Sequence, residues 1–425
     1  MFKTKDFLKS IKELSRDVFI LSAGVFIAQL IPLALQPILK RIFTPEDFGT
    51  YDVFLKSFGI LVALSSLKYE NAILLPKKDS DSKHVVHLCL IFSAIIFLLS
   101  LVLILICNDY ILERVNGFTL FSLLLLPCSV LSYSVFNVFN MYLIRRRKFM
   151  LSSSSKVSRR FSEGVVQVVL GYAKNSWGLL IGDVIGNLVQ GLFSLWKAIK
   201  LTSFKYVSRR RLKKMMYEYR ELPIFTLAPN VLNTFVLGSL TFLVLGKFSL
   251  EKVGYIEFTQ KILSIPAVFV SIAISQVLFQ RISQLIQRKK PIVPILWAII
   301  LILVVLSLVF VLTIQLFADD IFVLIGGGGW ESSGTYAKIL VFASAIMFIF
   351  SPLGKILIAL KKFKANSAWE LSKFAAILIL FYLDGYSIEE YLYIYTAIII
   401  FFYLIYGFVV MFYSYRYQIE NKIST

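Results

Sequence analysis

Runs of roughly 20 apolar residues recur from one end of this chain to the other, each long enough to cross about 30 Å of hydrocarbon as a helix. In lipid a helix satisfies its own backbone polar groups, so such runs leave few other folds open. A barrel is built from short segments of alternating polarity, and these are absent. Hydrophobic residues make up 58% of the 425 and charged residues 16%, against roughly 25% charged in soluble domains. Mean hydropathy is +0.78. The expectation is an all-α polytopic membrane protein.

Spans are predicted near 18–40, 48–67, 85–107, 118–143, 157–173, 177–199, 222–246, 253–280, 292–317, 335–360, 366–383 and 388–413, about twelve transmembrane helices in all. The fifth is the most charged, with Arg159, Arg160 and Glu163 in its first turns. A net charge of +20 would suit a nucleic-acid binder, but its placement argues otherwise. Counting from the N-terminus, lysine and arginine crowd alternate loops and are sparse in the others. That bias places both termini in the cytoplasm and calls for an even number of spans. The basic balance is then topology plus attraction to anionic membrane lipids, with no nucleic-acid partner. The first apolar run lacks a small-residue cleavage site, so it is expected to remain as a span.

A second constraint is internal. The stretch FTPEDFGTYDVFLK, Phe43 to Lys56, returns as FSLEKVGYIEFTQK, Phe248 to Lys261, the same 205 residues on at both ends. Phe43, Glu46, Gly49 and Lys56 fall on Phe248, Glu251, Gly254 and Lys261, while Thr44 falls on Ser249 and Asp52 on Glu257. Each copy joins the first two spans of its half. The reading is two fused copies of one membrane unit: an N-terminal six-helix lobe at 1–199, a basic cytoplasmic linker at 200–221 and a C-terminal six-helix lobe at 222–425.

The repeated lysines lie about 12–13 Å from the outer ends of their helices at 1.5 Å per residue, near mid-membrane. A lysine there costs at least about 2.5–3.5 kcal/mol, so Lys56 and Lys261 need a wet cavity or a partner. Asp52 and Glu257, four residues earlier, are placed to pair with them. Two readings stand: mutual neutralisation alone, or a displaceable pair whose lysine also meets an anionic substrate. Gln29, with Gln36 and the helix-bending prolines Pro32 and Pro37, marks a cavity wall or hinge in the first span. Lys373 lies deep in the eleventh span and is a further cavity candidate. Asp183 sits among Gly178, Gly182 and Gly186, where small residues let helices approach closely; it is a candidate for ion coupling. His84 and His87 have no carboxylate or cysteine at ligand spacing, so no metal is expected. Cys89, Cys107 and Cys128 contain no CxxC, and no disulfide or cofactor follows. The four glycines 326–329 precede no Gly-Lys-Ser/Thr, so they are read as a flexible turn anchored by interfacial Trp330. It would lie in the largest outer loop, about 318–334.

The turn TPEDFGTYDVF (44–54), the run ELPIF…APNVLN (221–233) continuing into VGYIEFTQKILSIPAVFVSIAISQVLFQRISQ (253–284), the IGGGGW turn (325–330) and the RRRKF turn (145–149) resemble those of the Wzx-type polysaccharide flippases. These belong to the superfamily that also holds the MATE drug exporters and MurJ-like lipid II flippases. The resemblance extends over nearly the whole chain and rests on turn and packing signatures, which identify the family better than its cargo. It implies two pseudo-symmetric lobes around a central cavity walled by spans one, two, seven and eight, working by alternating access. It also implies movement of undecaprenyl-pyrophosphate-linked oligosaccharide across the bacterial cytoplasmic (inner) membrane, for O-antigen, lipopolysaccharide or capsule assembly. Lys56 and Lys261, with Asp52, Glu257, Gln29 and Lys373, then become candidates for substrate contact. A polysaccharide polymerase and glycosyltransferases are the implied protein partners. Two other classes remain: a MATE-like drug or cation antiporter, which calls for acidic cavity walls, and a membrane-embedded glycan polymerase or acyltransferase, which calls for catalytic groups on a large outer loop.

Overall fold

A computed structural model describes residues 4–114, 117–204, 207–266, 278, 281–282, 284–286, 288–360 and 362–421. Among these residues the secondary structure is helical, with no strand. Helices α1 (Thr4–Ile42), α2 (Pro45–Ser65), α3 (Asp79–Arg114), α4 (Leu120–Arg145), α5 (Phe149–Tyr172) and α6 (Gly178–Leu201) carry the first six expected spans. A short helix, α7 (Arg209–Glu218), follows. A π-helical turn at Pro223–Leu227 runs into α8 (Ala228–Lys247), which precedes α9 (Leu250–Leu263). Then come α10 (Val293–Gly326), α11 (Glu331–Phe350), α12 (Gly354–Ala359), α13 (Phe363–Leu380) and α14 (Ile388–Glu420).

Nine helical segments among the described residues are long and apolar enough to cross a membrane. The fifth and eleventh expected spans are helical but outside that nine, as is the described part of the eighth. Helix α5 contains Lys156, Arg159, Arg160 and Glu163, and α13 contains Lys364, Glu370 and Lys373. In the eighth, residues 267–277 lie outside the described residues. The chain is an all-α, multi-pass membrane protein.

By packing, the chain divides into two compact units, Met1–Phe235 and Val236–Thr425. In the first, α6 packs against both α4 and α5, and α5 against α1. The approach is close because α6 presents glycine. A Cβ added at Gly182 would lie 2.4 Å from Gln167 Cγ, and one at Gly191 2.6 Å from the Ser132 carbonyl oxygen. Helix α7 is docked on this unit: Met215 is buried, Tyr69 donates its hydroxyl to the Met216 carbonyl at 2.9 Å, and His84 Nε2 accepts the Ser208 N–H at 3.2 Å.

In the second unit, α11 packs against α9, α10 and α14. Thr259 Oγ1 donates to the Ser333 carbonyl at 2.8 Å and Ser333 Oγ donates to the Tyr255 carbonyl at 3.0 Å, stitching α9 to α11. Two expectations are corrected here. The outer loop expected at about 318–334 is mostly helix, because α10 continues to Gly326, and Gly327 ends it with φ +84, a positive value that glycine adopts without strain. Trp330 is not interfacial: only 2% of its surface is exposed, and its ring meets Phe258 edge-on at 5.2 Å and Tyr255 at 5.9 Å.

The repeated stretch opens a helix in both copies, and the reason is local. Thr44 Oγ1 accepts the Asp47 N–H at 3.2 Å while the Asp47 carboxylate accepts the Thr44 N–H at 2.9 Å, and Pro45 follows at the first helical position. Ser249 Oγ accepts the Lys252 N–H at 3.4 Å in the second copy. Each cap satisfies N–H groups that the first helical turn leaves without partners.

Candidate functional site

Helices α2 and α9 carry their charged pairs in the same manner. Lys56 Nζ lies 3.5 Å from Asp52 Oδ1; the lysine side chain is 28% exposed and the aspartate 4%. Lys261 Nζ lies 3.0 Å from Glu257 Oε1, with 31% and 7% exposure. In both copies the carboxylate is embedded in the packing and the ammonium stands at its accessible edge. A carboxylate one turn N-terminal to a lysine is the favourable order for such a pair. Each arrangement holds a cation in place while leaving part of its surface open to an anion.

The other expected residues are placed differently. Gln29 is exposed on α1. Lys373 is buried, 4% exposed, with its ammonium 3.0 Å from Glu370 Oε2 and 4.0 Å from the centre of the Trp369 ring. It lines a cavity of about 250 Å³ inside the second unit, beside Gln260 and Ser264, which flank Lys261 on α9.

Asp183 is fully buried between α4, α5 and α6. Its carboxylate accepts from Arg159 Nη2 at 3.0 Å, Ser129 Oγ at 3.2 Å and Asn187 Nδ2 at 2.8 Å. Arg160 donates to both Glu163 oxygens, at 3.0 and 2.8 Å, and the Tyr51 hydroxyl donates to Glu163 Oε1 at 3.3 Å. Two arginines and two carboxylates thus balance inside the first unit, and Tyr51 ties the repeated helix α2 to them. Sequence reasoning missed this network. By sequence Arg159, Arg160 and Glu163 read only as the charged first turns of the fifth span, whereas they face inward. The available signal was their three- and four-residue spacing, which puts them on one side of α5.

His84 and His87 use Nδ1 on the carbonyls of Ser80 and Lys83, at 2.6 and 2.7 Å. Among the described residues no group of three or more metal-ligating side chains is assembled.

The sequence profile of the family described as "Polysaccharide biosynthesis protein" matches residues 14–286. No curated protein matches the chain by sequence. Several solved structures share the fold. A lipid II flippase MurJ in an inward closed conformation aligns with TM-score 0.71 at 14% identity, covering 95% of this chain and 90% of that one. An outward-facing multidrug-resistance MATE transporter of the MOP superfamily aligns at 0.58 and 14% identity, covering 98% and 97%. A MOP superfamily transporter from Pyrococcus furiosus, described as having a binding pocket of reverse polarity, aligns at 0.58 and 14%, covering 96% of each.

Proposed function

The chain belongs to the polysaccharide biosynthesis protein family, and from that premise we propose that it is a flippase for undecaprenyl-pyrophosphate-linked oligosaccharide. It acts by alternating access in the bacterial inner membrane, with both termini in the cytoplasm, and supplies surface polysaccharide assembly. It makes and breaks no covalent bond. The reading is supported above all by the repeated pair in which a half-exposed lysine stands over a buried carboxylate, at Lys56/Asp52 and Lys261/Glu257. A pyrophosphate head needs cationic partners along a low-dielectric path, and it must be able to leave them. A lysine that returns to its own carboxylate when cargo departs meets both needs. An exporter of organic cations would require the opposite exposure, with the carboxylate open and the lysine buried.

Asp183 is the proposed coupling group. Its negative charge is held by Arg159, so taking up a proton would release that arginine and loosen the α5–α6 packing. A polymerase and glycosyltransferases are the proposed neighbours, because they consume and make the cargo on the two membrane faces.

The test is reconstitution. Proteoliposomes loaded with a pyrophosphate-linked oligosaccharide on a short polyprenyl chain should expose inner-leaflet cargo to an added glycosidase only when the protein is present. Equal exposure in protein-free liposomes would overturn the reading.

A further inference from the structure

The cavity around Lys373 lies wholly within the second unit and is separate in its lining from Lys56 and Lys261. Its apolar walls come from residues such as Leu263, Leu340 and Ile399, and its polar lining consists of Lys373, Gln260, Ser264, Ser344, Tyr395 and Tyr403. Helices α9, α11, α13 and α14 each contribute one or more of these polar residues.

An ionisable side chain within a membrane span is costly and calls for a reason. Lys373 is nearly closed off from solvent, yet it borders open space rather than close-packed side chains. Its ammonium has three N–H donors. Glu370 accepts at 3.0 Å, and the rings of Trp369 and Tyr403 lie 4.0 and 5.6 Å from the nitrogen. One carboxylate leaves donors over for an anion that enters the cavity.

The neutral groups narrow the ligand further. Tyr395, Tyr403, Ser344 and Gln260 offer hydroxyl and amide groups around one small volume. Ser264 donates its hydroxyl to the Lys261 carbonyl at 2.8 Å and keeps acceptor capacity. The hydrocarbon tail of an isoprenoid phosphate would cover these groups without pairing them, and buried polar groups left unpaired count heavily against binding. A hydroxylated ring satisfies them. At about 250 Å³ the cavity lies below the roughly 300–1,000 Å³ of sites for drug-sized ligands, so it suits one ring rather than a chain of them. The aromatic walls suit the C–H face of such a ring.

We infer that this cavity is a binding site for a single acidic sugar ring of the hexuronate class, its carboxylate on Lys373 and its hydroxyls on the tyrosines, Ser344 and Gln260. The inference rests on the proposed flippase reading only for its biological meaning: the site would sort cargo whose glycan carries an acidic sugar. Glu370 then acts as the internal competitor for Lys373, giving way when the sugar carboxylate arrives.

The experiment is direct binding to the purified full-length protein in nanodiscs, read by tryptophan fluorescence, with Trp369→Phe identifying the reporting ring. The probes are free glucuronate, glucose, inorganic phosphate and farnesyl phosphate. Glucuronate should bind at least tenfold more tightly than glucose. Lys373→Met should weaken glucuronate at least tenfold and bring it level with glucose, and Lys373→Arg should retain most of the binding. Tyr395→Phe removes one hydroxyl at a half-buried position, and should weaken both sugars several-fold while leaving the protein folded. Equal binding of glucuronate and glucose, retention by Lys373→Met, or no binding of either sugar overturns the proposal. Tighter binding of farnesyl phosphate or inorganic phosphate than of glucuronate also overturns it, assigning the cavity to the lipid carrier or to a plain anion. The liposome assay stays separate. Flipping without Lys373-dependent glucuronate binding sinks only the site, and binding without flipping sinks only the transport reading.

Discussion

Lys261 Nζ lies 3.0 Å from Glu257 Oε1, and 205 residues earlier Lys56 stands in the same relation to Asp52 at 3.5 Å. The acid is buried in both pairs and the base half-exposed, so the pair is biased: whatever reaches it from the accessible side meets the cation first. If the lysines contact cargo, each loses a charged hydrogen bond worth about 1.5–3 kcal/mol on truncation. At 1.4 kcal/mol per tenfold, Lys56→Ala and Lys261→Ala should each weaken cargo binding by roughly 10–100-fold. The double variant should abolish transport with normal membrane levels, and Lys→Arg at both positions should restore it in part. Transport by the double alanine variant at the wild-type rate would reduce the pairs to structural neutralisation.

Removing the competing acid should act in the opposite direction. Asp52→Asn and Glu257→Gln leave the lysine charged but without its internal partner, so an anionic cargo binds more tightly and leaves more slowly. The expected signature is a lower half-saturating cargo concentration together with a lower maximal rate. Loss of both binding and rate would indicate that the acid serves only to hold the helix.

Arg159 and Asp183 form a buried pair in the first unit, 3.0 Å apart. Breaking a buried pair by removing one partner costs about 3–5 kcal/mol, whereas replacing both by apolar residues is often neutral. Arg159→Met should therefore lower the apparent melting temperature in detergent markedly, and Arg159→Met with Asp183→Leu should recover most of the loss. Two single effects that simply add would show that the pair carries no coupling energy.

Asp183→Asn probes coupling at a smaller stability cost than Arg159→Met, because the amide still fills the site and Arg159 keeps Glu163 within 3.8 Å as a partner. Transport by this variant should no longer respond to an imposed proton gradient, while its melting temperature falls less than that of Arg159→Met. An unchanged gradient response would leave Asp183 as a packing residue.

Helix contact in the first unit depends on glycine. A Cβ at Gly191 would fall 2.6 Å from the Ser132 carbonyl oxygen, a backbone atom that cannot swing aside. Overpacking of this kind costs about 1–3 kcal/mol, so Gly191→Ala should lower the yield and melting temperature of the folded protein. Gly246→Ala is the control, since nothing lies within 4 Å of a Cβ there.

Much of the fold was legible because its signals are local. Apolar runs set the helices, Thr44 and Ser249 cap the repeated ones through neighbours three residues on, and the Lys56 and Lys261 pairs follow from four-residue spacing. Features that need distant chain segments were not legible. Arg159 and Asp183 are 24 residues apart on different helices, and their meeting depends on the glycine face of α6. Trp330 reads as an interfacial anchor by type, yet the rings of Tyr255 and Phe258 bury it. The length of α10 is not legible because Asp319 and Asp320 read as loop residues by type, although they extend the helix beyond its apolar stretch. Lys373 is legible by its depth in the span and Trp369 by its four-residue spacing, while Tyr403 comes from α14 and reaches the lysine only through the fold.

The measurement that tests the central claim most directly is made in cells lacking this protein, by determining on which membrane leaflet completed lipid-linked oligosaccharide accumulates. The flippase account predicts unpolymerised units trapped on the inner leaflet, and their release when the wild-type protein, but not the Lys56→Ala/Lys261→Ala variant, is restored. Units that reach the outer leaflet in its absence, with only chain length or decoration altered, would contradict that account and point to an enzyme acting on the glycan.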